Sequence, residues 1–222
     1  MKIEIKGIKK KYGKKEVLKD ISFCAKSGQC IGILGVNGCG KSTLLSILAG
    51  VQDADSGEFM YDSHDLFEYP KQRSQLIGYV PQGTPLIEEL NAQDNLSLWY
   101  DSKTMQEELS HGVLKMLGID KFLKTTVSKM SGGMKKRLSI GCAISNNQPV
   151  LLLDEPMAAL DLVCKQNIFE YIEKHKRDGG IVLLSTHDMH EMNLCDEYYI
   201  IKNGVLIPFD YTGDIESLVN NL

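Results

Sequence analysis

The chain has 222 residues, with 25 Lys and Arg against 29 Asp and Glu, for a net charge of −4. That length suits one domain with room for an inserted lobe rather than two independent ones, and the acidic balance gives no global signal for nucleic acid. Six cysteines stand singly without a C-x-x-C pair, and no apolar run approaches the ~18 residues of a spanning helix, so the sequence predicts a reduced, cytosolic chain that does not itself enter a membrane.

Residues 2–6 alternate polar and apolar and predict a half-buried strand. Lys10-Lys11-Tyr12-Gly13 predicts a turn, and the lysines gathered here (Lys2, Lys6, Lys9, Lys10, Lys11, Lys14, Lys15) predict a solvated strand edge. Tyr12 stands exposed by pattern, either as an ordinary surface tyrosine or as a ring able to stack on a purine. Strand alternation resumes over 16–25. Next comes an apolar run, Ile31-Gly32-Ile33-Leu34, then Gly35-Val36-Asn37-Gly38-Cys39-Gly40-Lys41-Ser42-Thr43, then a helical pattern ending near Gly50. Glycine, four residues, glycine, lysine, serine between a strand and a helix is the phosphate-binding P-loop. Its glycines allow positive φ and close approach to phosphate. Inward N–H groups and the helix N-terminus then supply positive potential. Lys41 can reach the β- and γ-phosphates and the Ser42 hydroxyl can ligate Mg²⁺. Cys39 lies inside this loop, where a helix N-terminus and a lysine raise a thiol's reactivity.

Further along, 58–61 predicts a strand, 70–75 a helix and 76–80 a buried strand ending at Pro81-Gln82-Gly83. From about 85 to 148 the pattern is helical, with segments at 91–101, 104–117 and 134–147. Val150–Leu153 is a buried strand, 159–178 a helix closed by Gly179-Gly180, and 181–185 another buried strand. Asn203-Gly204 joins 198–202 to 205–208 as a type I′ hairpin, and 213–222 is a short tail with helical potential. The whole predicts an α/β fold: a mostly parallel, helix-covered sheet with an antiparallel β portion at the front and helices spliced in at 85–148.

The P-loop leaves several phosphate chemistries open. Asp154 ends a buried strand, where it can hold Mg²⁺ and meet Ser42. Glu155 follows it, placed to polarise a water in line with a γ-phosphate, which suits hydrolysis better than transfer to a second substrate. Gln82 and His187 also follow buried strands and emerge on the same sheet edge. There Gln82 can touch the metal and the attacking water, and His187 the γ-phosphate or Glu155. Ser131-Gly132-Gly133 opens a helix and forms a second anion site.

In this order the motifs resemble the nucleotide-binding subunit of ATP-binding cassette (ABC) transporters over residues 1–210. Tyr12 falls where that family stacks adenine and 35–43 where it holds phosphate, so Gly35, Asn37, Gly38, Cys39, Gly40, Lys41, Ser42 and Thr43 are implied nucleotide contacts. Gln82 matches the Q-loop, Ser131-Gly132-Gly133 the signature, 150–155 the Walker B strand and glutamate, Ala159-Leu160-Asp161 the D-loop and His187 the switch histidine. Around the signature serine and glycines, Met130 and Met134 depart from the family's flanks.

The resemblance implies a P-loop NTPase core at about 1–84 and 149–212, a helical subdomain at 85–148 and a tail at 213–222. It implies Mg²⁺-dependent ATP hydrolysis by a head-to-tail pair of cassettes, Ser131, Gly132, Gly133 and Asp161 serving the other chain's nucleotide. Transmembrane permease subunits, and no nucleic acid, are the implied partners, on the inner face of the cell membrane. Leu96, Leu98, Trp99 and Tyr100 are candidate walls of a groove for the permease, with core packing of their helix as the other reading, which explains most of them. Met134-Lys135-Lys136-Arg137 looks like cassettes of ABC-2 type exporters, its cations forming a solvated face or meeting an anion such as the partner-bound nucleotide. An importer ATPase and a soluble cassette acting on ribosomes or DNA are the alternatives.

Overall fold

The computed structural model describes every residue except Asn146, Ala159, Thr212 and Asp214, and the backbone alone of Ile215. Its strands are β1 (Lys2–Tyr12), β2 (Lys15–Lys26), β3 (Cys30–Leu34), β4 (Ser56–Tyr61), β5 (His64–Asp65), β6 (Ile77–Val80), β7 (Val150–Asp154), β8 (Ile181–Ser185), β9 (Glu197–Lys202) and β10 (Val205–Phe209). They join in one sheet ordered β5-β4-β1-β2-β10-β9-β3-β8-β7-β6. Its helices are α1 (Lys41–Ala49), α2 (Pro70–Leu76), α3 (Ala92–Leu96), α4 (Ser102–His111), α5 (Val113–Met116), α6 (Gly132–Ala143), α7 (Leu162–Arg177), α8 (Met189–Met192) and α9 (Ile215–Asn221).

Neighbours β9, β3, β8, β7 and β6 all run parallel. Every residue of β3, β7 and β8 is buried, as expected for strands covered on both faces. Alternate side chains divide between two cores. Leu151, Leu153, Val182 and Leu184 pack with the helical segment, while Val150, Leu152, Ile181 and Leu183 pack with α1 and the N-terminal strands. The parallel register then fixes the site. Val80 stands beside Leu153, Asp154 beside Ser185, and Ser185 beside Ile33. The loops leaving β3, β6, β7 and β8 therefore emerge in one row at the carboxyl edge, where open α/β sheets bind ligands.

Several expectations are corrected. Strand β1 continues through Tyr12, so the turn shrinks to Gly13-Lys14 between paired Tyr12 and Lys15. It is also an interior strand, between β2 and β4. Its lysines lie against neighbouring carboxylates instead of a free edge: Lys6 on Glu4 at 3.0 Å, Lys10 on Asp55 at 3.4 Å, Lys11 on Glu16 at 2.7 Å.

The expected helix 91–101 stops at Leu96. There Asn95 folds its amide back onto Asn91 O (3.0 Å) and Ile87 O (3.1 Å), and Asp101 caps the next helix by accepting from Lys103 and Thr104 N–H. The expected helix 104–117 breaks at Gly112, because Glu108 reaches over it to take the Val113 N–H at 2.6 Å. The helix expected at 134–147 begins two residues earlier and ends at Ala143; Asn147 is already out of it at φ 47°, and Asn146 lies outside the described residues. No helix among the described residues is long and apolar enough to cross a membrane.

Candidate active site

The loop between β3 and α1 is built for a close ligand. Gly35 has φ 146° and Gly40 φ 120°, values that favour glycine. A Cβ at Gly35 would lie 2.6 Å from Cys39 Sγ and 2.9 Å from Ile201 O, and one at Gly40 would lie 2.8 Å from Leu18 Cδ2. As N-cap, Gly40 offers no side-chain oxygen to the first-turn N–H groups of α1, which leaves them turned to the cleft. Lys41 is buried, and its Nζ donates to the carbonyl oxygens of Gly35 at 2.7 Å and Val36 at 3.4 Å. A cleft of about 380 Å³ is lined by Val17, Asn37, Gly38 and Gly40 to Thr43, and across from them by Gln82, Glu155 and His187.

Glu155 is the hub of the opposite wall. It sits at φ 48°, a left-handed conformation that a non-glycine residue adopts at a cost of about 1–2 kcal/mol. Its N–H continues the β7–β8 ladder to Ser185 O at 3.0 Å. Gln82 Nε2 donates to its Oε2 at 3.0 Å, and His187 Nε2 stands 3.5 Å from Oε1. Burial, and then the Lys41 ammonium, lower the His187 pKa, so the imidazole is neutral at pH 7. A carboxylate lining a phosphate-sized cleft, held at Oε2 by Gln82 and with His187 beside Oε1, can polarise a water.

Asp154 is 2 % exposed. Ser185 Oγ donates to its Oδ1, while Oδ2 has no partner among the described residues. An orphaned buried carboxylate oxygen is costly unless a cation completes it. Asp154, Ser42 and Gln82 line a shared hollow beside the cleft. One carboxylate, one hydroxyl and one amide fit Mg²⁺, which keeps water and phosphate oxygens as its other ligands.

The remaining expected site residues lie elsewhere. Tyr12 is 48 % exposed and does not line the cleft; its OH meets Gln52, and Lys10 lies over its ring at 5.7 Å. Cys39, inside the loop as expected, donates its N–H to Val36 O at 3.2 Å; its thiol fills the space where a Gly35 Cβ would stand, and it does not line the cleft. Ser131 and Asp161 are N-caps, accepting from Met134 N–H at 3.3 Å and Cys164 N–H at 2.9 Å. Gly132 and Gly133 form the first turn of α6, outside the cleft lining. Ala159 lies outside the described residues.

The cations of α6 each find a partner within the chain, of which one is an anion. Lys135 pairs with Glu88 at 3.0 Å, Lys136 reaches Pro81 O at 2.9 Å, and the Arg137 guanidinium covers the Phe122 ring at 5.3 Å. Of the expected groove residues, Leu96 and Tyr100 are core, whereas Leu98 and Trp99 are 59 % and 56 % exposed.

Sequence reasoning missed four residues. Val17 closes the cleft floor under Gly40, and Gln52 braces α1 at Ser46 and Thr43 O. Ser185 orients Asp154. Glu191, 2 % exposed, takes the Thr186 hydroxyl and the Met157 N–H, and burial pushes its carboxyl up to about 7. Only Ser185, polar at the end of an apolar strand, left a local signal.

The ABC transporter family matches residues 18–158. The linearmycin resistance ATP-binding protein LnrL of Bacillus subtilis is 34 % identical over 96 % of this chain and 70 % of its own length. The spermidine/putrescine import ATP-binding protein PotA of Mesoplasma florum is also 34 % identical, over 99 % of the chain and 64 % of its own length. The lantibiotic transport ATP-binding protein SrtF of Streptococcus pyogenes is 29 % identical over 99 % of the chain and 96 % of its own length. A solved dimer of an ATP-binding cassette, in a post-hydrolysis state with ADP and phosphate, superposes with TM-score 0.81 at 28 % identity, covering 92 % of this chain and 96 % of that one. With a P-loop, a carboxylate hub facing it and these relatives, the chain belongs to the ABC transporter ATP-binding family and is an ATPase.

Proposed function

We propose that the chain powers an exporter as one of two cassettes packed head to tail beneath separate transmembrane permease subunits, on the cytoplasmic face of the cell membrane. One observation carries this reading. Gln82, Glu155 and His187 form a contacting cluster across the cleft from Lys41, whereas the N-terminus of α6, the other glycine-flanked anion site, is outside that cleft. A second chain supplies the nucleotide that Ser131, Gly132 and Gly133 lack, and Asp161 crosses the same interface.

In this reading the loop amides, Lys41 and Thr43 hold the triphosphate and Tyr12 borders the base. Ser42, Gln82 and Asp154 would hold Mg²⁺, which would supply charge neutralisation on the β- and γ-phosphates. Glu155 takes a proton from the attacking water while Gln82 and neutral His187 keep its carboxylate aimed. Loss of the bridging γ-phosphate releases the partner's α6 and opens the pair. The helical segment at 85–148 follows Gln82, and exposed Ile87, Leu98 and Trp99 offer it an apolar face for a cytoplasmic helix of the permease. Export is supported by likeness to SrtF and LnrL; an importer ATPase is the second reading, supported by likeness to PotA.

Glu155→Gln tests the reading. Hydrolysis should fall more than about 100-fold, and ATP should convert the variant from monomer to stable dimer in light scattering. A variant that binds ATP and stays monomeric overturns the shared site.

A further inference from the structure

Lys136 is a buried cation that the nucleotide chemistry above leaves unused. It lies in α6, one turn beyond Gly132, and is 4 % exposed. Its Nζ donates to two main-chain acceptors, Pro81 O at 2.9 Å and Gln82 O at 3.4 Å. No carboxylate of the described residues forms an ion pair with it; Asp154, Glu191 and Glu155 act on it only from a distance, and burial lowers its pKa. A lysine gains nothing from packing that a methionine could not supply, so its retention in a buried place points to the bonds that the ammonium makes.

Those bonds complete a connected path. The signature end of α6 is Ser131–Gly133, and Lys136 ties the same helix to the main chain where β6 ends. Gln82 then reaches from that main chain to Glu155 Oε2 at 3.0 Å, and Glu155 Oε1 faces His187 at 3.5 Å. Displacement of α6 must strain the two carbonyl bonds or carry Gln82, and with it the carboxylate, along.

We propose that Lys136 is a positioning residue that couples engagement of the partner's nucleotide at the α6 N-terminus to the alignment of Glu155 in its own chain. The inference rests on the head-to-tail reading and extends it: each cassette senses, through one ammonium, whether the other's ATP is in place. Lysine suits the task because three N–H groups on a flexible stem span two carbonyls at once.

The test compares Lys136→Met, Lys136→Gln and Lys136→Arg in the full chain. In Lys136→Met, kcat should fall about tenfold through misplacement of Glu155, with the monomer's affinity for a fluorescent ATP analogue within about twofold of wild type. Lys136→Arg should recover most of kcat. Unchanged kcat in Lys136→Met, or a kcat loss matched by an equal loss of ATP affinity, overturns the proposal. Lys136→Gln, which keeps two N–H groups, should retain part of kcat; if Lys136→Met does not fold, Lys136→Leu decides, since a leucine that turns over as wild type overturns the proposal equally.

Glu155→Gln and Glu155→Gln/Lys136→Met, each mixed with ATP, separate the two levels. Failure of both to dimerise refutes the shared site itself. Dimerisation of both, beside wild-type turnover in Lys136→Met, refutes only the tether.

Discussion

Helices α1 and α6 both have glycine at their start, as the N-cap of one and the first residues of the other, and both present N-terminal amides, but their surroundings differ. The first turn of α1 follows a glycine at φ 120°, has no side-chain cap, and faces Glu155, Gln82 and His187 of its own chain. That of α6 is capped by Ser131, has no positive-φ glycine, and sits apart from those groups. At α1 the backbone is forced into shape by its own fold, so the site is present in the single chain. At α6 a Cβ on Gly132 would meet nothing within 4 Å, so nothing within the chain asks for glycine at that position.

Substitution of those glycines is the sharpest way to break the comparison. Gly40→Ala places a Cβ 2.8 Å from Leu18 and 3.1 Å from Val17 in a strained conformation. Expected is a loss of about 1–3 kcal/mol in urea unfolding and ATP binding weakened more than about 100-fold in fluorescence titration. Gly132→Ala meets nothing within 4 Å. It should leave monomer ATP affinity unchanged and raise stability by up to about 1 kcal/mol, yet cut hydrolysis more than about tenfold by obstructing the approach of a second nucleotide. A fully active Gly132→Ala would erase the distinction between the two helix ends. Smaller still, Ser131→Ala should cost about 1 kcal/mol of stability without ATP, because α6 owns a side-chain cap that α1 never had. Urea unfolding with no change in midpoint would remove that contrast.

What could be read from the chain beforehand follows the same division. The ends of β3, β6, β7 and β8 were legible because each is a short apolar run closed by a glycine, a proline or a polar residue, and parallel pairing alone brings Gly35, Gln82, Asp154 and His187 to one edge. The helical segment was less legible. Its breaks come from Asn95 and Glu108 folding onto nearby main chain, a competition that apolar periodicity does not record. Lys136 was legible as a charge and not as a tether, since its acceptor at Pro81 is 55 positions away. Tyr12 read as a turn because lysines depress strand propensity, but Glu16 on β2 and Asp55 just ahead of β4 pair with Lys11 and Lys10.

The bond from Lys41 to the carbonyl of Gly35 has a consequence for how nucleotide arrives. The ammonium is withdrawn from water when the protein folds, so its dehydration belongs to the free-energy balance of folding rather than to that of association. An incoming phosphate need only replace one oxygen acceptor by another carrying more charge. Capture becomes an exchange of partners along a short swing of one side chain, in a loop whose outline is already set.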